Sequence, residues 1–332
     1  MMSKHLPVYG LIFLLLLAMF LAGLAWQEAE NAWLGNEDKT IFKTMLYYQS
    51  YLMPFFLLWV IVGFKHKQVS LGFLWVALIG GTLGIYARFI EPNLLVVKYS
   101  TIKTGYTLKL ALISDMHYGL YSTPQQMQRL VDKLNTLDVD AIVVAGDWTY
   151  EPSQKIDLAQ QLQPFSQLKT VVYSVVGNHD EQRPGPPLEK ELKAALIANK
   201  VRPIDGQSVD LGVARLAGIG DIVVNAVGQE RLLALNIQDK PMLLLTHNPD
   251  SYYSLPSLKH PFVLLAGHTH GGQVNLPYVT DKILKTVTQQ GYQRGWYALP
   301  NNNQLFVSSG IGMIGLPLRF NMPPTIDVLE FE

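Results

Sequence analysis

The chain has 332 residues, enough for one large domain or two ordinary ones, and its 26 Lys and Arg balance its 26 Asp and Glu. That balance provides no basic face for nucleic acid, so no nucleic-acid partner is expected. Charged residues make up 16% of the chain against 49% hydrophobic, lean beside the roughly 25% of ordinary soluble proteins, and the lack of cysteine excludes disulfides and thiolate metal ligands.

The missing charge is local. Leu6–Gln27, Thr44–Phe64 and Gln68–Ala87 carry no charge at all, and each reaches the roughly 20 residues needed to cross a bilayer. Buried core helices are the alternative, but three such stretches so early in the chain exceed what a small core needs. The expectation is a transmembrane anchor over residues 1–92, with spans near 8–26, 45–64 and 69–87, and a second domain over 93–332. Lys4 precedes the first span, and Lys65 and Lys67 lie between the second and third. The loop between the first two carries Glu28, Glu30, Glu37 and Asp38 against Lys39 and Lys43. Positive flanks mark the cytoplasmic side, so a multi-pass protein of the cell (inner) membrane is expected, with its second domain extracytoplasmic. A cleaved signal peptide is the alternative for the first span, given the small residues at Ala22-Gly23-Leu24-Ala25.

From about residue 94 the texture changes. Leu94–Tyr99 and Leu108–Ile113 are short apolar or β-branched runs around Thr104-Gly105, a hairpin signal. Thereafter apolar runs alternate with helical stretches, expected near Pro124–Leu137 and Lys155–Leu168, a βαβ pattern that points to an α/β layered fold. Later strands are expected at Met242–Leu245, Phe262–Ala266, Leu305–Ser309 and Thr325–Phe331. In such sheets ligands gather beyond the carboxyl ends of the strands.

Five apolar runs end in ligand-type residues: Ser114-Asp115-Met116-His117, Gly146-Asp147, Gly177-Asn178-His179-Asp180, Thr246-His247 and Gly267-His268-Thr269-His270. These places hold five of the eight histidines; His5, His66 and His260 have no such setting and are taken as structural or surface residues. Singly, each Asp or Asn is an ordinary turn residue or helix cap, and a lone His an ordinary hydrogen-bonded side chain. Together they form a sulfur-free set of carboxylate, imidazole and amide donors, which suits Mn, Fe or Zn better than a structural zinc site.

In that order the motifs resemble the calcineurin-like metallophosphoesterase superfamily over residues 106–332. The three apolar spans, Arg88-Phe89-Ile90-Glu91-Pro92 and Gly271-Gly272-Gln273 are similar to its bacterial membrane-associated branch. The resemblance implies a four-layer α/β sandwich, two mixed β-sheets flanked by helices, with two divalent metal ions at the strand ends. It implies that Asp115, His117 and His270 hold one metal, that Asn178, His247 and His268 hold the other, and that Asp147 bridges both. His179 would face the substrate, stabilising the transferring phosphoryl group or protonating the leaving oxygen, with Asp180 orienting the loop or His179. Paired metals clamp the attacking and leaving oxygens and lower the pKa of a shared water, so the expected activity is metal-dependent hydrolysis of a phosphate ester, phosphodiester or pyrophosphate. Tyr150 stands where the protein-phosphatase branch has a further carboxylate, which argues against phosphoprotein substrates. Thr325 stands where an acidic residue is expected.

The connection after the third span is short, so the catalytic domain should sit against the bilayer, with a lipid-linked phosphate as the expected substrate. Gly291–Leu299 and Ile311–Phe320 are apolar, turn-rich segments that could rim the site and touch lipid, or else simply pack. A phosphodiesterase for soluble nucleotides or diesters, merely tethered by its spans, is the alternative, and a silent membrane scaffold a more distant one.

Overall fold

A computed structural model describes residues 6–32, 38–155, 157–181, 188–219, 221, 240–255, 258 and 260–332; Lys4, His5 and Glu37 fall outside them. Leu6–Asn31 is almost wholly apolar and forms one helix, α1. A second rod is built from Asp38–Gln49 (α2), a 3₁₀ turn at Ser50–Leu52 and Met53–Lys65 (α3). Pro54 is tolerated in the first turn of α3 because the amide it lacks has no helical partner there. Leu71–Ile85 (α4) begins at Ser70, whose hydroxyl accepts the Phe73 N–H at 3.2 Å. Val8–Asn31, Lys39–Lys65 and Leu71–Asn93 are helical and apolar enough to cross a membrane. Large apolar side chains such as Met19, Phe20, Trp75 and Val76 project outward from them. The second rod starts before its charge-free stretch: Lys39 and Lys43 continue the helix, and Lys43 pairs with Glu151.

After α4 the chain runs through a π-helical turn, Tyr86–Ile90, and a 3₁₀ turn, Glu91–Asn93. Both charged residues here are buried and tied to their surroundings. Arg88 donates through Nε to Ser50 Oγ at 2.7 Å and lies 4.5 Å from the centre of the Tyr47 ring. Glu91 accepts the backbone N–H groups of Asn321 and Met322 at 2.9 and 2.6 Å. Arg319 donates its backbone N–H to the Ala87 carbonyl at 2.9 Å. The connection is a lock between the helices and the rest of the chain, not a loose tether.

Two six-stranded mixed sheets follow among the described residues. The first contains Val96–Ile102 (β1), Leu108–Ile113 (β2), Ala141–Ala145 (β4), Val172–Val175 (β6), Val201–Pro203 (β7) and Thr325–Phe331 (β14), in the order β1-β14-β2-β4-β6-β7. The second contains Ser208–Asp210 (β8), Arg215–Gly218 (β9), Met242–Leu245 (β10), Phe262–Ala266 (β11), Gly295–Ala298 (β12) and Gln304–Val307 (β13), in the order β12-β13-β11-β10-β9-β8. Tyr118–Gly119 (β3) and Thr149–Tyr150 (β5) make a small parallel pair near the strand ends. The sheets stack face to face: Leu110, Leu112, Val143 and Val175 of the first pack with Leu243, Leu245, Leu265 and Phe306 of the second. The outer face of the first sheet is covered by Pro124–Leu134 (α5), Leu158–Gln161 (α6) and Glu189–Ala198 (α7), through Leu130, Val131, Leu192 and Leu196. Outside the second lies the 3₁₀ segment Pro249–Ser254, which packs on it through Tyr252, and the helix Val279–Val287 (α8) lies against the turn at His270–Gly272. This is the α/β sandwich the motifs imply, preceded by three apolar helices.

Two expectations need correction, and for a third segment the packing alternative holds. β1 and β2 do not form a hairpin: β14 lies between them, parallel to β1 and antiparallel to β2, because a strand from far along the chain buries more apolar surface there than a local turn could. The stretch near Lys155–Leu168 yields one short helical turn and a 3₁₀ turn, broken at Pro164, which cannot extend α6. Gly291–Leu299 packs inward: Tyr292 is buried against Tyr297, and Trp296 meets Phe306 at 5.0 Å.

Candidate metal centre

The loops after β2, β4, β6, β10 and β11 converge on one point. Five of the residues there, Asp115, His117, Asp147, His268 and His270, have φ between 47° and 72°. Left-handed backbone at a residue other than glycine costs of order 1 kcal/mol or more, and these loops hold it by mutual hydrogen bonds. The Asp115 and His117 amides donate to Gly146 O and Asp147 O, both at 3.0 Å, and the Gly267 amide to His247 O at 2.9 Å. Two glycines are dictated by crowding. A Cβ on Gly177 would collide with the Asp147 carboxylate, and one on Gly267 would lie 2.6 Å from Asp115 Oδ2.

All nine residues singled out in the sequence meet in this region. Around Asp115, the His117 and His270 rings stack nearly parallel at 4.8 Å, with their Nε2 atoms 2.9 Å apart. His270 Nε2 also lies 3.4 Å from Asp115 Oδ1. Next to them, His247 Nε2 faces three acceptors, each at 3.1 Å: Asp147 Oδ2, Asn178 Oδ1 and His268 Nδ1. His117 Nε2 is 3.5 Å from Asp147 Oδ2, so that one carboxylate touches both clusters. Two triads, Asp115–His117–His270 and Asp115–Asp147–His247, bring one ligand atom each close enough to share an ion.

The donor chemistry fits a cation. Burial pushes the His117 and His268 imidazoles down to about 3 and takes His270 well below its ordinary value, so these rings are neutral. His117 Nδ1 points at the Thr149 carbonyl, 3.3 Å away, and its proton belongs there. Its Nε2 therefore presents a lone pair toward His270 Nε2. His247 Nδ1 likewise faces the Ala145 carbonyl at 2.7 Å, leaving Nε2 to the three acceptors. Burial pulls the His247 imidazole down, but the adjacent Asp147 carboxylate reverses this and holds it well above its ordinary value. A metal held at that Nε2 would have to displace a proton. Asp147 is held well below the usual carboxylate range, the histidines outweighing its burial, whereas burial pushes Asp115 up to about 6. Among the described residues the buried Nδ1 of His270 has no hydrogen-bond partner.

Asp180 stands behind the cluster, fully buried, with four donors converging on its carboxylate. Oδ1 accepts Thr149 N–H at 2.9 Å and Thr149 Oγ1–H at 3.0 Å; Oδ2 accepts Gly177 N–H at 2.9 Å and Trp148 N–H at 3.2 Å. It therefore pins the Asp147 loop to the Asn178 loop. His179 donates its backbone N–H to Asp147 Oδ1 at 2.9 Å, and its ring packs edge-on to His117 at 5.2 Å and Tyr150 at 5.3 Å. Burial lowers the His179 pKa below its ordinary value. Tyr150 is thus an aromatic wall beside His117 and His179.

Sequence reasoning missed the neighbours that frame this wall. Lys43 of α2 forms an ion pair with the buried Glu151 and lies 4.8 Å from the centre of the Tyr150 ring. Tyr47, one turn on, stacks on Tyr121 at 5.6 Å. Their signal in the sequence was only a charge and an aromatic at helical spacing. Ser114 Oγ donates to Asp115 Oδ2 at 2.5 Å, and Arg319, wholly buried, gathers the carbonyls of Ser309, Gly312 and Met322 under the Asp115 loop.

A family model described as calcineurin-like phosphoesterase matches residues 108–272. The uncharacterized metallophosphoesterase YkuE of Bacillus subtilis is 31% identical over 278 residues, covering 76% of this chain and 91% of that protein. An uncharacterized metallophosphoesterase of Helicobacter pylori is 29% identical over 270 residues, covering 79% and 70%. The UDP-2,3-diacylglucosamine pyrophosphatase LpxG of Chlamydia muridarum is 23% identical over 311 residues, covering 74% and 92%.

Proposed function

This chain belongs to the calcineurin-like phosphoesterase family, metal-dependent phosphoric ester hydrolases, and we propose that it is a dinuclear enzyme held in the cell membrane, hydrolysing a lipid-linked phosphate ester or pyrophosphate. The observation that carries the dinuclear reading is the pair of imidazole clusters joined by one carboxylate, Asp147. In this reading Asp115, His117 and His270 hold one ion, Asn178, His247 and His268 the other, and Asp147 both. Two divalent ions there would neutralise phosphoryl oxygens and make hydroxide available near neutral pH. His179, kept neutral by burial, then takes the position of the group that contacts the phosphoryl oxygens or supplies a proton to the departing one. Asp180 supports it by fixing the loop that both residues share.

The lipid-linked reading rests on placement. The α2 residues Lys43 and Tyr47 are part of the wall beside His179, so the apolar helices are built into the site's surroundings. A relative named as a pyrophosphatase of a diacylated nucleotide sugar supports the same substrate class. The anchor is proposed to run through residue 92 and the catalytic unit from 93. The basic Lys65-His66-Lys67 turn would then face the cytoplasm and the catalytic unit the opposite side.

The test is product analysis on total membrane lipid extract with purified, Mn-loaded protein, beside a soluble chromogenic diester. Release of a phosphorylated headgroup or free phosphate from the lipid fraction is expected. Turnover confined to soluble diesters would replace the lipid reading with the soluble one. Hydrolysis of neither, with fewer than two ions bound per chain, would sink the enzyme mechanism.

A further inference from the structure

The loop that carries His270 does not stop at the cluster. It runs through Gln273, whose side-chain amide donates to the carbonyls of Ile314 and Leu316 at 3.0 and 2.9 Å, and then enters α8. The lead-in and the helix expose an unusual amount of apolar surface. Tyr278 is 85% exposed, Val279 50%, Ile283 49% and Leu276 40%. Val279, Ile283 and Val287 recur every fourth residue and so form one stripe along the helix. Thr280 and Leu284 point inward, with Thr280 Oγ1 bonded to Val274 O at 2.9 Å, so the outward stripe is not needed to hold the helix in place. Lys282 and Lys285 flank it in the same helix, against a single acid, Asp281.

This patch has a neighbour that says what covers it. Asn275 donates its backbone N–H to the Phe320 carbonyl at 2.8 Å, and the Phe320 ring meets Tyr86 edge-on at 6.4 Å. Tyr86 is the residue at which α4 ends, and Leu316, 49% exposed, lies in the same loop as Phe320. Through Asn275 and Phe320 the patch is therefore joined to the end of an apolar rod long enough to cross a membrane. Exposed aromatic and aliphatic side chains with lysines at their margin are what a helix lying in a lipid headgroup region displays.

We propose that α8 and residues 276–279 form an interfacial element that rests on the bilayer beside the point where α4 leaves it. It also reaches the candidate metal centre from two sides, since it continues the His270 loop and its last residue, Val287, offers its carbonyl to the His268 ring. Lipid contact thus holds the backbone around both histidines and turns the site toward the membrane. The inference rests on the reading of the first three helical segments as a membrane anchor.

The chain's lack of cysteine gives a clean test. Single cysteines at Ile283, Val279, Asp281 and, in α4, Val76 are labelled with an environment-sensitive fluorophore in full-length protein. Each is reconstituted in phosphatidylcholine–phosphatidylglycerol vesicles with and without nitroxide-labelled lipid. Blue-shifted emission and loss of intensity to the nitroxide lipid are expected at Ile283, Val279 and Val76, with Asp281 remaining aqueous. Quenching at Val76 but not at Ile283 or Val279 would overturn the interfacial helix and leave the anchor standing. No quenching at Val76 would overturn the anchor itself, and this proposal with it.

Discussion

Asp180→Asn offers the sharpest test of how the candidate site is supported. The carboxylate accepts four hydrogen bonds, two at each oxygen, and Asp180 is fully buried. An amide keeps one oxygen, which can still serve Thr149. Its NH₂ then faces the Trp148 and Gly177 N–H groups, donor against donor. A buried donor left unsatisfied costs about 1–3 kcal/mol, so two of them predict a loss of roughly 4 kcal/mol. For a folded unit of this size that lowers the thermal midpoint by roughly 10 °C, at about 2–4 °C per kcal/mol. The assay is thermal unfolding of the purified full-length protein in detergent with chelator present, read by near-ultraviolet circular dichroism. Metal content after Mn loading is read alongside it. Because Asp180 touches no donor of the metal clusters directly, the variant should still bind Mn, but more weakly, through the loosened Asp147 and Asn178 loops. A midpoint within about 2 °C of the parent, far short of what two unsatisfied buried donors should cost, would refute the claim that Asp180 pins these loops.

Other outcomes follow from the same geometry. His247 is held protonated by Asp147 in the metal-free protein, so loading that cluster must expel a proton. Apparent Mn affinity should rise about tenfold per pH unit below the raised pKa, with proton release seen by titration calorimetry in buffers of different ionisation enthalpy. Gly177→Ala drives a methyl into the Asp147 carboxylate, and elemental analysis should show metal lost while the far-ultraviolet spectrum is kept. Lys43→Met strands the buried Glu151, at a cost of about 3–5 kcal/mol. Adding Glu151→Gln should recover most of the thermal midpoint, and no recovery would mean the pair is not coupled.

What the sequence made legible was whatever depends on neighbours in the chain. β10, β11 and β14 lie where their apolar runs lie, because a buried strand needs an unbroken apolar run. Each run's last residues carry the donors, so the candidate site was visible as a recurring strand-end pattern. Long-range partners were not visible: nothing near Thr104-Gly105 says that β14 will part β1 from β2. Nor does anything in α2 announce that Lys43 meets Glu151, an interaction spanning 108 residues. The left-handed backbone of Asp115, His117 and His270 was equally hidden, since the glycine signals stand beside those residues rather than on them.

The placement of β14 also sets an order of events. Until residues 325–331 have been made, β1 and β2 have no common partner, and the central sheet carries an open slot with two unpaired edges. A ribosome releases the three apolar helices first, and Glu330 of this strand 229 positions after its β1 neighbour Thr101. The catalytic sheet therefore closes after synthesis of its own final strand, a late step that depends on distant pairing. Until then the open edges invite pairing with other chains.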